Sequence, residues 1–171
     1  MKFKESIPFV GRAEIIVRGP DGRYKARRVA RNVVVGAGVK AIMQIAAPIY
    51  LASGFTYLCV GNGTGGSSAS NGTQPSPANT DTGLACGASG RVASTSLIPT
   101  YGYSNPTATL SYSYTWAAGV LTTNGPIPYG AVECGLFTAA SSGTMWNHLA
   151  FTVVSVAAAD TLTINLTVQA T

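Results

Sequence analysis

Thr107-Ala-Thr-Leu-Ser-Tyr-Ser-Tyr-Thr-Trp116 alternates between small polar and apolar side chains, so that Leu110, Tyr112, Tyr114 and Trp116 fall on one side of an extended chain. A helix would repeat its apolar stripe roughly every 3.6 residues, so this period of two predicts a strand. Thr161-Leu-Thr-Ile-Asn-Leu-Thr-Val168 repeats the pattern, with Leu162, Ile164, Leu166 and Val168 together. Two strands with one apolar side and one Ser/Thr side need opposing apolar surface. Inner faces packed on each other make an antiparallel β-sandwich.

Working outward, strands are expected at residues 92–98, 131–138 and 145–154, with turn signals at Thr123-Asn-Gly-Pro126 and Ser141-Ser-Gly143 between them. Upstream, Phe55-Thr-Tyr-Leu-Cys-Val60 reads as a buried strand. Nearer the N-terminus, Arg12-Ala-Glu-Ile-Ile-Val-Arg18 and Tyr24-Lys-Ala-Arg-Arg-Val-Ala30 flank Gly19-Pro-Asp-Gly22, a turn between two β-prone runs and hence a hairpin. Asn32-Val-Val-Val35 continues extended. The apolar spacing of Val39, Ile42, Met43 and Ala46, closed by Pro48, predicts one short helix over 38–47 that lies against a sheet. The fold class is therefore mainly β: an antiparallel β-sandwich with an N-terminal β-hairpin and one short helix. Residues 1–35 form a basic hairpin module packed on a body of residues 36–171, the whole being one structural domain.

Composition agrees. The chain has 171 residues, of which 46% are hydrophobic and only 10% charged, so its surface must be drawn largely from 15 Ser, 19 Thr and 20 Gly. A chain this long buries enough surface to fold without metals or disulfides. Neither a secretory leader pattern nor an apolar run long enough to span a bilayer occurs, so a soluble, unprocessed protein is expected.

Charge is uneven: residues 1–40 hold ten of the eleven Lys and Arg with three acids, while the remainder carries Arg91 against Asp81, Glu133 and Asp160. Electrostatic attraction of partners belongs to the first quarter of the chain. Arg18, Arg23, Lys25, Arg27, Arg28 and Arg31 are its candidate contacts. An acidic protein surface suits them better than nucleic acid, since Tyr24 is the sole interleaved aromatic. The 23 residues 61–83 contain no Val, Ile, Leu, Met or aromatic side chain and read as a long surface loop, with Asn62, Thr64, Asn71 and Gln74 as further candidate contacts.

Signals for chemistry are weak. Gly61-Asn-Gly-Thr-Gly-Gly66 fits a dinucleotide fingerprint but opens no helix, so no cofactor is assigned. Cys59, Cys86 and Cys134 with His148 lack the close pairs of a structural zinc site, and no metal is assigned. The three cysteines read as reduced and buried, with a Cys59 to Cys134 bridge left open. No GxSxG elbow accompanies His148, which reads as a structural or surface histidine, and no catalytic residue is assigned. Glu133, set in an apolar strand with Cys134 on the opposite face, must face solvent or find a partner such as Arg91.

The order of these segments resembles that of small tailed-bacteriophage virion proteins. Such proteins are tail, tail-fibre or collar components, and the likeness runs through the Gly11-Arg-Ala-Glu-Ile15 hairpin with Gly19-Pro-Asp-Gly22, Asn32-Val-Val-Val35, the helix expected from Gly38, Phe55-Thr-Tyr-Leu-Cys-Val-Gly-Asn-Gly-Thr64, Glu133-Cys-Gly-Leu-Phe137, Ser142-Gly-Thr-Met145 and Asp160-Thr-Leu-Thr-Ile-Asn165. The resemblance implies a non-enzymatic structural subunit at the tail or fibre-attachment region, made in the host bacterial cytoplasm and present in several copies among other virion proteins. A capsid-decorating protein of the phage head and a soluble carbohydrate-binding β-sandwich are the alternatives.

Overall fold

The computed structural model describes residues 9–34, 57–62, 91–92, 100–104, 107–121, 130–140 and 143–170. Their regular elements are nine strands: β1 (Phe9–Arg18), β2 (Tyr24–Val34), β3 (Tyr57–Gly61), β4 (Arg91–Val92), β5 (Thr100–Ser104), β6 (Thr107–Trp116), β7 (Ala131–Phe137), β8 (Met145–Val154) and β9 (Thr161–Ala170). The expected hairpin, β3 and the strands β6 to β9 are all present. Strand β5, Thr-Tyr-Gly-Tyr-Ser, was not expected, its alternation being only five residues long; it pairs along β6, Thr100 to Ser111 through Ser104 to Thr107. The expected helix over 38–47 and residues 93–98 of the strand expected over 92–98 lie outside the described residues.

All pairings are antiparallel, in the order β4-β3-β7-β8-β2-β1-β9-β6-β5. Strand β2 belongs to two sheets. Its residues from Tyr24 to Arg31 pair with β1, and Asn32 to Val34 pair with β8. A long strand that changes partners midway is how two sheets share a corner. Sheet A then holds β2, β1, β9, β6 and β5, and sheet B holds β4, β3, β7, β8 and the end of β2.

The inner faces meet in one apolar cluster. Ala13, Ile15 and Val17 of β1, Tyr112 and Trp116 of β6, and Leu162, Ile164, Leu166 and Val168 of β9 join Leu58, Val60, Leu136, Leu149, Phe151 and Val154 of sheet B. Each fully buried Leu or Ile here contributes roughly 1.5–3 kcal/mol over an exposed position. The hairpin therefore supplies part of the common core through β1.

The hairpin turn follows its sequence. Pro20 sits where a preset φ suits the second turn position, and the Gly22 amide donates to the Gly19 carbonyl at 2.9 Å. Gly22 then takes φ +76°, a left-handed conformation that sets the register shift beside Arg18.

Strand β7 is buried along its whole length, so the centre of sheet B is covered on both faces. Cys134 and Leu136 join the main core, whereas Cys59, Phe137 and Met145 form a second apolar cluster, with Tyr57 packed against it. Gly61 closes β3 and the adjacent Asn62 is buried. The surface loop expected from Gly61 thus begins later, because Gly61 pairs with Glu133 in the ladder. Residues 63–83 lie outside the described residues.

Candidate functional site

Sheet A carries its cations on the hairpin, and partnering sorts them into two groups. Arg27 bonds Glu14 across the β1–β2 ladder on the outer side. Lys25 Nζ donates to Asp160 at 2.7 and 3.0 Å, and Arg23 lies 3.6 Å from Asp21 at the turn. These three expected contacts are already committed within the chain. Arg18 has no carboxylate partner among the described residues; its guanidinium lies 3.8 Å from the Tyr24 ring centroid and donates to the Gly22 carbonyl at 2.9 Å. Arg28 is exposed and donates to the Arg27 carbonyl at 2.9 Å. Arg31 is exposed and makes no ion pair among the described residues, and Arg12, directly opposite it on β1, is in the same state. Arg12 was not among the residues expected from the arginine cluster, because it stands apart in sequence at the start of β1 and only the register brings it opposite Arg31.

The carboxylates are all engaged among the described residues: Glu14 with Arg27, Asp21 with Arg23, Asp160 with Lys25 and Glu133 with His148. The hydrogen bond from Arg27 holds the Glu14 carboxyl below its usual range, against the opposing effect of burial and with help from Asn165 and Arg12. For Asp160, burial pushes the carboxyl up, but the hydrogen bond from Lys25, the Ala157 amide and the Lys25 charge outweigh it and leave it lowered.

On the outer face of sheet A, hydrogen bonds run in rows across the strands. Glu14 accepts from Arg27 and from Asn165, and Asn165 Oδ1 accepts from Ser113 Oγ at 2.7 Å, so one row spans β2, β1, β9 and β6. Neighbouring rows pair Thr115 with Thr163 at 2.8 Å and Ser111 with Thr167 at 3.5 Å. Between β1 and β9, Arg12, Glu14, Asn165 and Thr167 line a shallow depression of about 210 Å³.

Sheet B holds a different polar pair. His148 Nε2 lies 2.9 Å from Glu133 Oε2, with both side chains buried. Glu133 therefore finds a partner, as its apolar strand required, and the partner identified is His148. The ladder pairs Gly135 with His148 and Glu133 with Ala150, which makes Glu133 and His148 diagonal neighbours on one face. Sequence alone could not pair them, since they lie 15 positions apart and their approach depends on register. With both side chains buried, each polar group satisfies the other.

Cys59 is disulfide-bonded, whereas Cys134 is a free, buried thiol. The expectation of three reduced thiols is thus corrected, and the Cys59 to Cys134 bridge does not form: these residues sit on opposite faces of adjacent strands, in separate apolar clusters. Burial first, and the Glu133 charge second, push the Cys134 thiol far above its ordinary range. Asn62 is buried, which removes its side chain from the exposed contacts expected of the loop. Thr64, Asn71 and Gln74 lie outside the described residues. Comparison with family models, with curated proteins and with solved structures returned no match.

Proposed function

We propose that the protein is a non-enzymatic structural subunit of a tailed-bacteriophage virion, at the tail or fibre-attachment region, which docks through its hairpin on an acidic surface of a neighbouring subunit. The observation that carries the docking is the sorting of charge. Every described carboxylate is engaged internally, while Arg12, Arg18, Arg28 and Arg31 keep guanidiniums without a carboxylate partner among the described residues, all on β1 and β2. Guanidiniums suit carboxylates geometrically, through paired N–H donors. The order of motifs from Gly11 to Asn165 supports the virion setting, and the Ser/Thr surface of sheet A supports close contact with little repulsion.

The test is assembly. Arg28→Glu combined with Arg31→Glu touches no ion pair of the described residues, so the free variant should melt like the parent while disappearing from purified particles. Retention of the variant in particles would refute docking through the hairpin. Loss of salt-dependent DNA retention with assembly intact would instead assign the arginines to nucleic acid.

A further inference from the structure

We propose that the depression on the outer face of sheet A binds one acidic saccharide unit, a sugar ring bearing a carboxylate. This goes beyond the assembly reading and does not depend on it. The depression is a two-by-two patch of the sheet: Arg12 stands opposite Thr167, and Glu14 opposite Asn165. At about 210 Å³ it is smaller than the roughly 300–1,000 Å³ of sites that enclose drug-sized ligands, so it suits a single ring rather than a long segment.

The four corners offer complementary chemistry. Sugar hydroxyls both donate and accept, and here Glu14 accepts, Arg12 donates, and the Thr167 hydroxyl and Asn165 amide do either. Several of these groups are held in place beforehand. Arg27 and Asn165 fix the Glu14 carboxylate, and Ser113 fixes Asn165 through its Oδ1. Side chains ordered by neighbouring bonds lose little freedom on binding.

The carboxylate is specified by Arg12 and Arg31. They are directly opposed across β1 and β2 on the same face, where like charges repel, and neither makes an ion pair among the described residues, unlike Arg23, Lys25 and Arg27; the nearby Glu14 carboxylate feels the Arg12 charge but is bonded to Arg27. A ligand carboxylate placed beside them would relieve that repulsion, which a neutral sugar could not do. On the same face, Val10 and Val29 are each 52% exposed beside this pair and offer apolar contact to ring C–H groups.

The test is a nuclear magnetic resonance titration of the full chain with trigalacturonate and with sialyllactose, against neutral lactose and sodium acetate. At least one acidic saccharide should give saturable shifts confined to the surroundings of Arg12, Glu14, Asn165 and Thr167. Arg12→Ala should weaken that binding about tenfold or more, and Thr167→Ala should weaken it too. Arg23→Ala, which removes the same charge at the turn, should leave it unchanged. Absence of saturable shifts with both acidic saccharides would overturn the proposal. Equal binding of lactose would overturn the role of the carboxylate, and equal response to acetate would reduce the site to simple anion attraction and overturn the saccharide assignment.

Discussion

Replacing Gly61 with Ala should destabilise the protein out of proportion to the one methyl group added. A Cβ at this position would lie 2.5 Å from Glu133 Oε1, 2.8 Å from Cγ and 3.0 Å from Cδ, whereas favourable non-bonded contact needs about 3.5–4.0 Å. Glu133 must therefore yield by about 1 Å. It is poorly free to do so, because it is buried and held 2.9 Å from His148 Nε2. Forcing β3 away from β7 is overpacking, at about 1–3 kcal/mol, while swinging Glu133 away from His148 breaks a buried pair, at about 3–5 kcal/mol. Relaxation follows the cheaper route, so the expected loss is about 2–3 kcal/mol, or roughly 4–12 °C in Tm for a chain of this size. Thermal and urea melts measure it. A double-mutant cycle identifies the cause: once Glu133→Ala has emptied the space, Gly61→Ala should cost under about 0.5 kcal/mol, a coupling of about 2 kcal/mol. A Gly61→Ala variant that melts within about 1 °C of the parent would refute this account, as would a penalty that persists when Glu133→Ala is already in place.

Three further outcomes are expected. Asn147 Oδ1 accepts the Leu136 amide at 2.9 Å beside the irregularity between β7 and β8, so Asn147→Ala should leave a buried N–H unsatisfied and cost about 1–3 kcal/mol in urea melts; a neutral result would show that the amide finds another acceptor. Glu14 and Asp160 have carboxyls lowered by folding, so their stabilisation is present above the ordinary carboxylate range and is lost as pH falls through their folded values; Tm should drop on acidification below about pH 4, and Asp160→Asn should flatten part of that slope. A pH profile unchanged by Asp160→Asn would remove the Lys25 to Asp160 pair from this account. The buried Cys134 thiol, pushed up by burial, should resist iodoacetamide in the native protein and react in denaturant, and mass spectrometry of the labelled chain would expose the error if native labelling were rapid.

Strands are legible in the sequence where one face meets the core and the other meets solvent. In β9 the sequence alternates, and Leu162, Ile164, Leu166 and Val168 are all buried; Tyr112 and Trp116 in β6 behave alike. The hairpin was legible for a local reason, since Gly19-Pro-Asp-Gly22 specifies its own turn. Alternation carries no such message in β7, where all seven residues are buried, and β5 depends on β6 for its pairing. Local pattern reports the period of a strand and the chemistry of its sides, and both are determined by adjacent residues.

Register, by contrast, is decided between segments far apart in the chain, and the candidate sites follow from register. The run of arginines in β2 showed that the hairpin is basic but not which cations stay unpaired. Glu14 reaches Arg27 and Asp160 reaches Lys25 only after the chain closes on itself, and the same closure sets Arg12 against Arg31 and beside Thr167. Gly61 looked like the start of a surface loop because no large apolar side chain occurs from there to Gly83; its place in the ladder opposite Glu133 shows instead that it ends a strand and that a side chain has no room there. The sequence by itself determined a β fold with a basic hairpin and a Ser/Thr surface, since composition and period are local properties. Only the tertiary structure decided which charges cancel, which remain exposed and which polar groups share a depression, because those outcomes depend on which residues of distant strands stand opposite each other.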